Sequence, residues 1–178
     1  IRPSRGLGDV YKRQTLNAGQ ICLSPDYIMI KKGLEEKLIA ELQEVFKTFY
    51  PESNAGDYTS MVNDHHHQRM HDYLQDAKDK GAKIINLGEF DSSENNIVTT
   101  KVLLNVNDDM RVMKEEIFGP LLPVMVYEEL SEAVDYVNQH DHPLGLYFFG
   151  NKKSEQNFVI NNTRSVSYTH LTLPTNDQ

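Results

Sequence analysis

The sequence contains a single cysteine, Cys22, among its 178 residues. One thiol excludes an internal disulfide framework and a cysteine-rich zinc site. No apolar run approaches the roughly 20 residues that span a bilayer, and no segment has the pattern of a signal peptide. The 18 basic residues are outnumbered by 26 acidic ones, which gives a formal net charge of −8. Without a basic run, the chain is a poor candidate for binding nucleic acid or an anionic membrane, and a cytoplasmic location is expected.

Apolar residues recur at helical spacing in some segments and form short runs in others. One helix is predicted to begin after Gly33 and to end at Pro51, and a second to begin at Asn63 or Asp64 and to end before Gly81. Two shorter helices are predicted near Ser131 and over 154–162. Strands are predicted over 27–30, 82–87, 97–106, 121–127 and 144–149. This alternation predicts an α/β fold with a mainly parallel, doubly wound sheet and helices on both faces.

Small and amide residues lead into the cysteine, in the order Asn17-Ala18-Gly19-Gln20-Ile21-Cys22. Small residues allow close backbone approach, and the two amides offer hydrogen bonds. Ser24-Pro25 stops any helix here, and an apolar strand follows. A thiol at a turn beside a strand suits a nucleophile, although a lone free cysteine is also commonly a small buried hydrophobe.

This segment resembles the cysteine signature of the aldehyde dehydrogenase superfamily. A second segment, Glu115-Glu116-Ile117-Phe118-Gly119-Pro120, resembles that family's other well-known block, at about the right distance downstream. Further similarity to the coniferyl-aldehyde dehydrogenase and class 3 branch lies at 24–27, 109–113, 120–123 and 143–147. The resemblance runs from about Thr15 to Ser165.

The resemblance implies an NAD- or NADP-dependent enzyme that oxidises an aldehyde to its carboxylic acid. The aldehyde would be aromatic, such as coniferyl aldehyde, or of medium chain length. Cys22 would be the nucleophile, passing through a thiohemiacetal and a thioester. Glu116 would hold a ribose of the cofactor through its hydroxyls, and Phe118 would pack beside the nicotinamide. The parent enzyme would be a homo-oligomer, such as a dimer.

The two ends of the chain have a different character. Residues 9–14 and 166–171 back-translate into strings that are reverse complements of each other and match a transposase recognition sequence used as a sequencing adapter. Residues 1–14 and 166–178 are therefore expected to be adapter-derived and non-native, and 15–165 to be a partial catalytic domain. The family's cofactor domain and water-activating glutamate would lie upstream of Thr15, so the isolated chain is expected to be inactive.

Histidines at 65–67 and at 71 suggest two other functions. His67 and His71 are four residues apart on one helical face, but the segment lacks the glutamate of a zinc-protease helix, so no metal site is predicted. A cysteine hydrolase or acyltransferase that pairs Cys22 with one of these histidines is the alternative enzyme. A folded fragment without activity is the third hypothesis.

Overall fold

The computed structural model describes residues 16–51 and 58–171, with side chains described as far as Tyr168. The described residues form four α-helices: α1 (Glu35–Phe49), α2 (Asp64–Asp79), α3 (Leu130–Gln139) and α4 (Lys153–Asn162). The same residues form six strands: β1 (Ile28–Lys31), β2 (Lys83–Asn86), β3 (Lys101–Leu104), β4 (Leu121–Tyr127), β5 (Gly145–Phe149) and β6 (Ser167–Leu171).

Four strands form the main sheet in the order β1-β4-β3-β2. The pairs β1–β4 and β4–β3 are parallel, whereas β2 joins the edge beside β3 antiparallel. β4 lies between two neighbours, and its first four residues are buried. This burial is typical of a central strand covered on both faces.

The two longest helices cover opposite faces of this sheet. Successive side chains of a strand point to opposite faces, so adjacent residues of β3 and β4 enter different cores. One core combines Leu42 and Phe46 of α1 with Val102, Leu122 and Val124. The other combines Met70 and Tyr73 of α2 with Leu103, Leu121 and Ile117. The predicted mainly parallel sheet with helices on both faces is confirmed.

α2 begins and ends where its sequence predicts. The side chain of Asn63 accepts a hydrogen bond from the backbone N–H of His66, at 2.9 Å, and so caps the first turn. Gly81 follows the helix with a φ of 94°, a left-handed conformation that glycine adopts without steric cost.

Some predicted boundaries differ from the observed ones. The strand predicted over 97–106 is reduced to the four residues of β3. The first half of the predicted strand lies outside β3. Ile97 pairs with Ser92 in an isolated bridge, and the N–H of Thr99 donates to the carboxylate of Asp91. Asn105, with a φ of 57°, lies just beyond the strand. At the ends of α1, two apolar side chains are exposed: that of Leu34, which directly precedes the helix, and that of Phe49, its last residue.

β5 and β6 form a separate two-stranded parallel sheet. β6 lies within the predicted adapter-derived segment 166–178, of which residues 166–171 are described. Strands pair through backbone N–H and C=O groups, and every residue type except proline has both. The pairing of β6 with β5 therefore does not test whether 166–178 is adapter-derived, and this origin stays a prediction. The other predicted adapter segment, 1–14, lies outside the described residues.

Across residues 16–51 and 58–171, no helix is both long and apolar enough to cross a membrane.

Candidate active site

The residues before Cys22 form a tight turn in left-handed backbone conformation. Asn17, Ala18 and Gly19 have φ values of 54°, 51° and 71°. Such values are unfavourable for non-glycine residues and recur at functional sites. Hydrogen bonds hold the turn: the Gln20 N–H donates to the Asn17 carbonyl at 3.0 Å, and the Asn17 side-chain amide donates to the Gln20 carbonyl at 3.2 Å.

Gln20 ties this turn to the segment that precedes α2. Its buried side-chain amide donates to the carbonyls of Asn17 and Ser60, at 3.0 and 3.1 Å. Its side-chain oxygen accepts the N–H of Val62 at 2.9 Å. The amide expected to offer hydrogen bonds therefore does so, and it fixes the turn to a distant segment.

Cys22 lies in the next turn, just before β1, and it is exposed. The N–H of Ser24 donates to the carbonyl of Ile21 at 2.9 Å, which closes this turn. The hydroxyl of Tyr147 in β5 donates to the Leu23 carbonyl at 3.0 Å. The thiol is thus presented at the surface by backbone that is held from both sides, rather than buried as a small hydrophobe.

The second predicted segment lies between a short 3-10 turn, Arg111–Met113, and β4. Glu115 accepts hydrogen bonds from the Tyr73 hydroxyl at 2.8 Å and from Arg111 Nε at 3.2 Å. These bonds hold the pKa of the Glu115 carboxyl below its usual value. Glu115 therefore anchors the segment, although its side chain, like that of Glu116, is exposed.

Phe118 and Gly119 continue the segment in close contact with the protein. Phe118 is half-buried and has a φ of 48°, again in the left-handed region. A Cβ placed on Gly119 would lie 2.3 Å from Sδ of the buried Met70. A larger residue here would force the buried Met70 side chain to move, which favours a glycine between Phe118 and the start of β4.

The cysteine turn, residues 17–24, and the second segment meet at one cleft that is too narrow to admit a water molecule. The residues that line it are Gly19, Ile21, Ser24, Pro25, Asp26, Glu116, Phe118 and Gly119. Glu116 and Phe118 thus line the same cleft, and their cofactor-binding roles stay a prediction. In the sequence, Cys22 lies between the lining residues Ile21 and Ser24, although its own side chain does not line the cleft.

Asp26 joins the two segments and was not predicted as a site residue. Its carboxylate accepts a hydrogen bond from the backbone N–H of Ile117 at 3.0 Å, across 91 residues of sequence. Burial raises the pKa of Asp26 and the charge of Glu116 adds to this effect, while the bond from Ile117 opposes it. The sequence pattern, an aspartate after Ser24-Pro25, does not indicate a hydrogen-bond partner so far along the chain.

Arg69 of α2 holds the same segment from the other side and was also missed. Its Nη2 donates to the carbonyl of Ile117 at 2.7 Å, and its Nη1 lies 3.4 Å from the carbonyl of Glu116. Its guanidinium lies over the Tyr73 ring, 5.4 Å from the centroid. The only sequence signal was its position one residue before the apolar face of α2.

The histidines form no site with the cysteine. Nε2 of His67 and Nε2 of His71 lie 3.3 Å apart. Burial, together with the neighbouring His71, lowers the pKa of His67. Among the described side chains, no histidine is within hydrogen-bonding distance of Cys22, and no three or more His, Cys, Asp or Glu side chains are grouped to hold a metal.

Comparison with known proteins identifies the family. The profile described as "Aldehyde dehydrogenase family" matches residues 7–172, so the chain belongs to the aldehyde dehydrogenase family. A Pseudomonas aeruginosa protein named "Probable coniferyl aldehyde dehydrogenase" is 44% identical over 153 residues, which cover 85% of this chain and 32% of that protein. The rat "Aldehyde dehydrogenase, dimeric NADP-preferring" is 33% identical over 168 residues, covering 90% of this chain and 36% of that protein.

Among solved structures, "Substrate bound state of Staphylococcus Aureus AldH" is similar with a TM-score of 0.84 and 27% sequence identity. The match covers 98% of this chain and 38% of that chain. The present chain thus spans about a third of the length of these relatives. These similarities agree with the predicted superfamily and with its coniferyl-aldehyde and class 3 branch.

Proposed function

We propose that the full-length protein containing this chain oxidises an aldehyde to its carboxylic acid with NAD or NADP. The observation that supports this most strongly is the exposed Cys22 turn, joined by Asp26 to the cleft that Glu116 and Phe118 line. The proposed substrate is a small aromatic aldehyde such as coniferyl aldehyde, or a medium-chain aldehyde. The names of the similar proteins support this class of substrate.

In the proposed reaction, the Cys22 thiolate adds to the carbonyl carbon and forms a thiohemiacetal. Loss of hydride from that carbon leaves a thioester on Cys22, and water then releases the acid and restores the thiol. No acceptor among the described residues engages the backbone N–H of Cys22, so this donor is available to the oxyanion. Loss of one such donor typically lowers the rate by roughly 10²–10³.

The types of residue that line the cleft suit the ribose and the ring of a nicotinamide dinucleotide. The exposed carboxylate of Glu116 can accept two adjacent ribose hydroxyls, as acidic residues do in other dinucleotide sites. Phe118 presents a half-buried ring on the same cleft, and Gly119 adds no side chain there. A bound NAD⁺ or NADP⁺ supplies the hydride acceptor. Cofactor binding by Glu116 and Phe118 remains part of the proposal.

The experiment compares the full-length protein with its Cys22→Ala variant and with the 178-residue chain alone. Formation of reduced cofactor is followed with an aromatic aldehyde and either NAD or NADP. We expect Cys22→Ala to abolish turnover while cofactor binding persists, and the isolated chain to be inactive. Near-normal turnover of Cys22→Ala would eliminate the assigned nucleophile, and turnover by the isolated chain would contradict its proposed inactivity.

Two wider proposals follow from the same similarities. Residues 15–165 would be part of the catalytic domain, and residues 1–14 and 166–178 would be adapter-derived. Sequencing the genomic DNA that flanks 15–165 tests this, because native coding sequence there should differ from both ends. We further propose that the full-length enzyme is a cytoplasmic homodimer, which the name of the rat relative supports for the dimer.

The alternative of a cysteine hydrolase or acyltransferase has less support. It requires an imidazole beside the sulfur, and none of the described histidine side chains is within hydrogen-bonding distance of it.

A further inference from the structure

We propose that Asp26 and Arg69 are positioning residues that fix the cofactor-binding segment, Glu116–Phe118, against the turn that carries Cys22. The inference rests on the proposed function. Its physical claim is that two charged side chains, neither of them the nucleophile, set the distance between the thiol and the cofactor.

The two residues bond the two backbone polar groups of Ile117. Asp26 accepts the Ile117 N–H at 3.0 Å, and Arg69 Nη2 donates to the Ile117 carbonyl at 2.7 Å. The Ile117 side chain is buried, with 1% of its surface exposed. Hydrogen bonds to charged groups are shorter and stronger than neutral ones, so the peptide groups on both sides of Ile117 are firmly held.

These contacts belong to a closed circuit of hydrogen bonds. Gln20, in the cysteine turn, is bonded to Ser60 and Val62, which directly precede α2. α2 carries Arg69, which is bonded to Ile117. Ile117 is bonded to Asp26, which lies two residues beyond the cysteine turn, so the covalent chain closes the circuit. A movement of either segment relative to the other must therefore break a bond to a buried or charged group.

The conformation of Phe118 links the circuit of hydrogen bonds to cofactor binding as well as to stability. Phe118 follows Ile117 directly and has a φ of 48°. A non-glycine residue keeps this conformation only where its surroundings determine it. Without the bonds at Ile117, we expect Phe118 to relax toward negative φ and Glu116 to move with it, which would weaken cofactor binding.

No other side chain in the described part of the chain replaces the bonds to Ile117 that loss of Asp26 or Arg69 would remove. Nε of Arg69 is buried and has no hydrogen-bond partner in the described part of the chain, so Arg69 already has one unused donor. Removal of Asp26 leaves the buried N–H of Ile117 unpaired, and such unpaired groups are costly.

The test uses the full-length protein and measures kcat and the KM for the cofactor. We expect Asp26→Ala and Arg69→Ala each to raise the cofactor KM roughly tenfold. Asp26→Asn, which keeps a side-chain oxygen for the Ile117 N–H, should restore the KM to within about threefold of the original. The rate at which iodoacetamide alkylates Cys22 without cofactor is measured by mass spectrometry of the Cys22 peptide. In each variant this rate should differ from that of the original protein by less than about twofold.

Gln68→Ala is the matched control. Gln68 directly precedes Arg69 on α2 and is exposed, but its side-chain amide donates to Asp72 at 2.9 Å rather than to Ile117. It should leave the cofactor KM unchanged. If Asp26→Ala does not fold, the comparison of Arg69→Ala with Gln68→Ala decides the question.

Equal cofactor KM values for the original protein, Asp26→Ala and Arg69→Ala would overturn the inference, as would an equal increase in Gln68→Ala. Failure of the proposed function is recognised separately, as turnover by Cys22→Ala or no turnover by the original protein. In that event, cofactor affinity measured from the fluorescence of bound NADPH replaces KM in the same comparison.

Discussion

Replacement of Asp91 by asparagine should destabilise the protein, because it removes the negative charge that faces the buried ammonium group of Lys101. Nζ of Lys101 donates to the Asp91 carboxylate at 2.7 Å, and the Lys101 side chain is only 6% exposed. The N–H of Thr99 donates to the other carboxylate oxygen at 2.7 Å, and the Thr99 hydroxyl donates to that oxygen as well. Asp91→Asn keeps an acceptor for Thr99 but leaves a buried ammonium without its counter-charge.

The expected cost follows from the unequal burial of the two partners. Breaking a fully buried ion pair by removing one charge costs about 3–5 kcal/mol. The Asp91 side chain is 44% exposed, so solvent already screens part of the attraction. We therefore expect Asp91→Asn to lower the free energy of unfolding by about 2 kcal/mol at neutral pH.

The effect should disappear in acid. Burial alone would raise the pKa of Asp91, but the bonds from Lys101 and Thr99 outweigh it and hold the pKa below its ordinary value of 3.8. A carboxylate with a lowered pKa in the folded state stabilises the protein fully above its unfolded-state pKa. That contribution is lost as the pH falls through the folded-state pKa, so the two proteins should converge below pH 3.8.

Urea unfolding of the chain, followed by circular dichroism, measures these differences. The same substitution in a Lys101→Met background is the control, since no buried charge then remains and the cost should fall below about 1 kcal/mol. The reasoning is refuted if Asp91→Asn is as stable as the original protein, or if its cost is the same with methionine at 101.

Two further substitutions test local features of the fold. Gly119→Ala should destabilise the chain by about 1–3 kcal/mol, because its new Cβ would lie 2.3 Å from Met70 Sδ. A smaller penalty in a Met70→Ala background would confirm this clash as the cause, and an equal penalty would refute it. Asn63→Ala should cost about 1 kcal/mol through loss of the cap on His66, whereas Asn63→Asp should not. Equal urea midpoints for the two Asn63 variants would show that the cap contributes nothing.

Local sequence patterns predicted most of the elements. The α2 helix follows from its apolar spacing, its Asn63 cap and Gly81, all of which act within a few residues. The β4 strand was predicted with its observed bounds, because a short apolar run after Pro120 is characteristic of a buried strand. The prediction for β3 was too long, since Asp91 takes the Thr99 N–H by a contact that no local pattern reveals.

For the candidate site, the sequence by itself determined which residues are suited to the chemistry: one thiol after a run of small residues, and a Glu-Ile-Phe-Gly segment downstream. Only the tertiary structure decided that these segments share a cleft and that Asp26 and Arg69 join them at Ile117. The physical reason is the range of the interactions. Turns and caps are settled by neighbours in sequence, whereas a hydrogen bond across 91 residues exists only once the sheet and α2 have brought its partners together.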